Sequence, residues 1–321
     1  MKKRNKFVRF GLVFTVLMSL LLSSCSSDDT SRQTFPLSAD ISHSIDGKQV
    51  AFQGLTHSAI SWYWDFGDGT SSTEQNPVHV YTDGGYYVAI LTATDKNGNT
   101  EMSEVKMAIA VTPYILLTGG PTATEGKTWK LSASHSENGD YFALADPNFS
   151  PVDPDITPLP DGAFSLFLGF GEVYDDEYTF HFNGNYEIDL KADGGALSGL
   201  VYQFVSAGGA NITNMHPEYS YEFGLVVGKP LGIQPDLKFE FIEEGDFVTS
   251  SVWTGGAITY NDVSSISFSD TGFFGFLDFE TKLIVQEISD SKLKVVMFMA
   301  ASQDYIGINT HALVLTFEVV E

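Results

Sequence analysis

Cysteine is almost missing. Cys25 is the single one in a chain of 321 residues, so no disulfide can close within the chain and stability must come from a packed core. Basic residues are also scarce: 17 Lys and Arg face 41 Asp and Glu, a formal net charge of −24. No basic stripe is available to displace phosphate counterions, which excludes nucleic acid as a partner class. Acidic polymers are disfavoured too, unless a local Lys or Arg cluster or bound calcium overrides the sum. The seven histidines are scattered without metal-ligand spacing. Gly-x-Ser-x-Gly, Walker and His-Glu-x-x-His patterns do not occur. Nor does any long stretch carry a 3.6-residue apolar period, which excludes a helical bundle.

What is present begins with a basic head, Met1–Lys6, and one apolar run from Phe10 to Leu22. That run is too short for a stable membrane span and fits the core of a signal peptide over residues 1–24. It ends in Leu22-Ser23-Ser24-Cys25, which resembles the lipobox of bacterial lipoproteins and implies a lipid on Cys25. The following Ser26-Ser27-Asp28-Asp29 resembles the export signal of Bacteroidetes lipoproteins. Together the two resemblances imply an outer-membrane anchor facing the cell exterior, with residues 25–33 as an acidic tether. Without residues 1–24 the formal charge becomes about −29. Neutral polysaccharide is the partner most compatible with that balance.

Trp64-Asp65-Phe66-Gly67-Asp68-Gly69 is the sharpest local motif. Asp68-Gly69 is a turn signal, because Gly tolerates positive φ and a short Asp side chain caps its own backbone. Asn76-Pro77-Val78-His79-Val80-Tyr81, Gly85–Asp95 and Asn97-Gly98 follow at regular distance. The set resembles the PKD domain, an immunoglobulin-like module, over residues 34–112, and implies a small β-sandwich of a type used mostly as spacer or adhesion unit. Within it Trp62 and Trp64 share one strand face, as expected of core residues. Residues 113–126, with a Pro and adjacent glycines, read as a linker.

From 127 to 321 short alternating segments dominate: Glu177–Phe182, Tyr186–Leu190, Leu237–Phe241, Lys282–Ile288, Lys292–Met299 and Ala312–Val320. The fold class expected is therefore all-β throughout, the PKD sandwich being followed by a larger sandwich or barrel. This half resembles, through Lys127-Thr128-Trp129, Tyr174–Phe180 and Phe273–Phe276, the C-terminal domains of Bacteroidetes surface lipoproteins that accompany glycan-uptake machinery. The resemblance implies non-catalytic capture of a polysaccharide, a β-glucan first, for an outer-membrane transporter complex. A Trp-Trp pair of those relatives is missing here, where Asp146–Asp155 stands instead.

Aromatic side chains are the expected sugar platforms, since a flat ring gives contact area at low entropy cost. Trp253, beside small residues and a Gly-Gly turn, and Tyr305, in the loop before the last strand, are the first candidates. Phe149 lies within residues 147–160, where five of the twelve prolines lie, and Tyr141 and Phe142 precede them. That loop either lines a site or covers a sheet edge. Tyr174 and Asp175 complete the candidate set, while Trp129 and the alternating Tyr219, Tyr221 and Phe223 read as core. For catalysis, Glu187-Ile188-Asp189 resembles the opening of the laminarinase-type nucleophile motif, but its third acid is missing, so a glycoside hydrolase is the alternative rather than the expectation. A structural adhesin with a protein partner is another. Calcium is the one cofactor weighed, with Asp153, Asp155 and Asp176 as its ligands beside Asp146 and Asp175.

Overall fold

The computed structural model describes residues 35–320. The expected signal peptide, the Cys25 lipidation site and the acidic tether lie outside the described residues. Among those described, no helix is long and apolar enough to cross a membrane.

The N-terminal unit is a two-sheet sandwich. Strands Ser38–Asp46, Gln49–His57 and Val78–Val80 form one sheet; Ser71–Ser72, Ala59–Asp65, Gly85–Asp95 and Thr100–Ile109 form the other. Alternation puts Val50, Phe52, Trp64, Tyr87, Ala89 and Leu91 between them. Trp64 is fully buried, its indole N–H donating to Glu74 O at 3.0 Å. Trp62 is half-buried against the same core. Gly67 sits at φ 78°, where a Cβ would meet the carbonyl of Val88. Asp68 accepts from Thr70 N and faces His79 Nε2 at 2.7 Å, so the turn's acids are spent on the turn itself.

Residues 113–126 are not merely a spacer. Pro113–Thr118 is a helix, N-capped by Thr112 and stopped by Gly119 in the left-handed conformation. Its buried side chains face both units. Ile115 packs against bare Gly84, and Gly120 lies against Gly85. On the other side Leu117 enters the core of the large domain, and Tyr114 stacks on Phe239 at 5.9 Å. The last helical carbonyls are capped from the large domain, by Lys127 Nζ on Leu116 O at 2.6 Å and Trp129 Nε1 on Leu117 O at 2.9 Å. Tyr86 also hydrogen-bonds Asp290 across the seam.

The large domain is built on one antiparallel nine-stranded sheet. Its order is Tyr186–Asp189, Glu177–Phe180, Lys127–Leu131, His311–Val319, Lys292–Met299, Leu283–Ile288, Gly256–Phe268 and Phe239–Ser251, with Tyr141–Leu144 paired to the start of His311–Val319. The sheet curls until its edges meet: Tyr186 N donates to Leu237 O at 2.9 Å and Phe239 N to Gly184 O at 3.1 Å. The expected all-β class holds, with the large domain a half-closed barrel. Neighbouring residues of each strand serve opposite faces. Val295, Met297, Leu313 and Leu315 join the inner core around Trp129, Tyr178 and Phe180; Val296, Phe298, Ala312 and Val314 form an outer core with Phe247 and Tyr260.

Helices interrupt the expected strands, Leu200–Ala207 being the longest, and one of them replaces a segment read as a strand. Tyr219–Phe223 is a short helix, entered with the His216 ring accepting from Tyr219 N at 3.1 Å and left through left-handed Gly224. Tyr219 and Phe223, four apart, share a helical face, while Tyr221 points to solvent at 63% exposure. Tyr221 is thus not a core residue.

Candidate functional site

Three connections of the large domain converge at one end of the sheet: 145–151, 252–255 and 300–310. The hairpin Ser250–Gly256 is the centre. Ser251 buries its hydroxyl, which donates to Ala145 O at 2.6 Å and accepts from Trp253 N at 3.1 Å. This caps the single turn Val252–Thr254, and left-handed Gly255 ends it. The Trp253 indole N–H reaches Thr310 O at 3.4 Å, an oxygen that also accepts from Ala145 N. Val252 N donates to Asn309 O at 3.1 Å.

Asn309 is the clasp of this end. Fully buried, it gives its amide hydrogens to Thr249 Oγ1 at 2.9 Å and Ser250 O at 3.1 Å. Thr249 in turn donates to Glu280 Oε2 at 2.7 Å. The clasp fixes the end of the 300–310 loop, whose turn Gln303–Tyr305 is capped by Ser302. Trp253 and Tyr305 thus stand on backbones joined by hydrogen bonds, with 53% and 50% of their surfaces open to solvent.

The other sequence candidates do not gather here. Phe149, at φ 49°, stacks on Tyr260 at 4.6 Å and completes the outer core. Tyr141 packs on the same core, whereas Phe142 turns to the inner one, because successive strand residues must point to opposite faces. Residues 150–152 return along 142–144, with Leu144 N donating to Ser150 O at 2.8 Å and Val152 N to Phe142 O at 2.9 Å. The Pro-rich loop therefore covers a sheet edge at its start. Tyr174 is taken up by a buried network: its hydroxyl lies 2.8 Å from His135 Nε2 and accepts from Phe164 N at 3.1 Å. His135 Nδ1 meets Asp140 Oδ2 at 2.8 Å, and Thr316 Oγ1 donates to Asp140 Oδ1 at 2.7 Å. Asp175 is an exposed cap of the turn Gly171–Tyr174.

The calcium ligands do not form a site. Asp153 accepts from Asp155 N within its own turn, both are exposed, and Asp176 is buried. Among the described residues no three acidic or histidine groups come close enough to hold a metal. Burial, with the charges of Asp193, Asp175, Asp189 and Glu172, pushes the Asp176 carboxyl up to about 8. Asp146 holds its own loop through Asn148 N and Ser150 N. The suspected catalytic acids are likewise engaged, Glu187 with His181 at 3.0 Å and Asp189 with Lys191 at 2.9 Å.

Comparison with known proteins separates the two units. Residues 30–111 match the PKD domain family model. The chain carries a PKD domain. Its residues are 35% identical over 78 residues to collagenase ColA of Bacillus cereus, spanning 24% of this chain and 8% of the collagenase. The pre-pro-metalloprotease PrtV of Vibrio cholerae is 45% identical over 140 residues, 36% of this chain and 15% of the protease. The chain thus spans a small fraction of these relatives' length. Among solved structures, the PKD1 domain of Vibrio anguillarum Epp aligns over its whole length and 25% of this chain, at 30% identity and a TM-score of 0.24. A structure of carbohydrate-binding modules from the β-sandwich superfamily aligns over 90% of this chain at 9% identity and a TM-score of 0.24, a likeness that carries no argument. Trp64, Asp65, Phe66, Gly67, Asp68 and Gly69, the signature turn of the PKD domain, occupy the core and corner of its sandwich.

Proposed function

We propose that this protein is a non-catalytic cell-surface glycan-binding lipoprotein, anchored to the outer membrane through Cys25 and facing outward. The PKD domain spaces the large domain from the anchor. The large domain holds a neutral polysaccharide, a β-glucan first, for delivery to a transporter complex. The observation that supports this reading is Trp253: half-exposed, yet held by a hydrogen bond at its ring nitrogen. A ring fixed before the ligand arrives loses little entropy when a pyranose stacks on it. Tyr305, on the adjoining loop, supplies a second ring, and Asp304 and Gln303 beside it can bond sugar hydroxyls. The chain's negative charge suits an uncharged ligand.

The test is titration calorimetry of the chain from Ser26 onward against neutral polysaccharides, repeated with Trp253→Ala and Tyr305→Ala. Saturable heat with one glycan, weakened at least about tenfold by Trp253→Ala, supports the reading. Silence across the panel, or release of reducing ends from a bound glycan, would sink the binding-only role.

A further inference from the structure

A concavity lies between the Pro-rich loop, the turn Phe164–Leu168 and the helix Tyr219–Phe223. It encloses about 120 Å³, and its walls include Phe142, Ile156, Leu159, Phe164, Phe167 and Phe223, with apolar residues throughout. A carbon-lined space of this size offers water no hydrogen-bond partners and has room for a single ring. It cannot serve a sugar, whose hydroxyls would lose water without gaining partners. Around it Phe167, Leu166 and Tyr221 are left open to solvent, the last two at 69% and 63%.

The walls are held firmly. Phe164–Leu168 is one turn of π-helix closed by left-handed Gly169, a geometry concentrated at functional sites. Leu159 N donates to Asp140 O at 2.8 Å, and Phe164 N to the Tyr174 hydroxyl at 3.1 Å. The buried His135–Asp140–Tyr174 network therefore fixes two walls at once. The charged residues next to the lining in sequence are of one sign. Asp155 adjoins Ile156, Asp161 follows Leu159 by two positions and Glu222 adjoins Phe223, all exposed. Residues 131–190 and 192–228, which contain every lining segment, include no Lys or Arg.

We propose that this cavity docks a peptide segment of a protein partner, in which one phenyl-sized apolar side chain is flanked by basic residues. The ring fills the apolar space, and the flanking cations meet Asp155, Glu222 and the Asp161 oxygen that Ser136 leaves free. Neither group is offered by a neutral glycan, so this site and the Trp253 surface are independent.

The probes are three capped tripeptides, Lys-Phe-Lys, Glu-Phe-Glu and Lys-Ala-Lys, titrated into the chain from Ser26 onward while backbone amide shifts are followed by NMR. Lys-Phe-Lys is expected to shift residues 156–168 and 219–223 saturably, at least about fivefold tighter than either control, and to weaken between about 50 and about 300 mM salt. Phe167→Ser, at an exposed position, and Ala163→Phe, which fills the cavity, should each abolish the shifts. Retained spectral dispersion shows that the fold is intact. Equal response to all three peptides, no saturable response to Lys-Phe-Lys, or shifts unaltered in Phe167→Ser would overturn the proposal, whatever becomes of glycan binding.

Discussion

Two carboxyl groups of the large domain are buried with an oxygen unmatched. Among the described residues, Oδ1 of Asp176 and Oδ2 of Asp278 have no hydrogen-bond partner. Burial first, then nearby acids, raises Asp176 to about 8; burial raises Asp278 to about 7. A carboxyl with a raised folded pKa stabilises fully below its unfolded value near 4, and this contribution is lost as pH climbs to 8. Asp176→Asn should therefore match the wild type near pH 4 and exceed it near pH 9 by about 1–3 kcal/mol. Urea unfolding at both values checks this; equal loss in both proteins would refute it. The opposite case is Asp140, where every oxygen is used. Asp140→Ala strands His135 Nδ1 and Thr316 Oγ1 in the core and should cost about 3–5 kcal/mol in the same assay. Neither role was legible in the sequence. Asp176 looked like a calcium ligand because acidic runs at strand starts are usually solvated, and here the strand register turns this one inward beside Tyr178.

At the level of elements, strands were the readable part. Alternation located most of the large sheet, and Asn97-Gly98 marked a real reversal, with Gly98 at φ 84°. Tyr219-Ser-Tyr-Glu-Phe223 misled, because spacing of two and spacing of four coincide in a five-residue stretch. Adjacent Tyr141 and Phe142 could never have lined one site, and the pleat separates them. Trp253 was legible through its small neighbours and double glycine, but its fixation was not: Thr310 and Asn309 are more than fifty positions away in sequence. That fixation gives an element-scale expectation. Asn309→Ala should remove the amide bonds to Thr249 and Ser250 O while the backbone bonds of residue 309 remain, lowering stability by about 1–3 kcal/mol and weakening any glycan held at Trp253. Trp253→Ala should leave stability within about 1 kcal/mol of the wild type. Thermal unfolding of the pair separates a scaffold residue from a contact residue.

For the whole molecule, the informative feature is the helix Pro113–Thr118. Sequence marked its Pro and glycines as a break between domains, and composition could not tell a spacer from a wedge. A fragment cut at residue 127 loses Leu117 from the core and leaves the Trp129 indole without its acceptor, so it should be less stable than one cut at 112 by about 3–6 kcal/mol. Denaturant midpoints of the two fragments decide it. The same seam restricts what can be spliced to this domain. A side chain at position 84 would meet the Ala110 carbonyl first and the end of the Ile115 side chain next, so a replacement N-terminal module has to bring bare glycine to the joint where the chain turns into this helix. The unit that can be inherited or engineered as one piece begins at Thr112, and its neighbour is keyed to fit it.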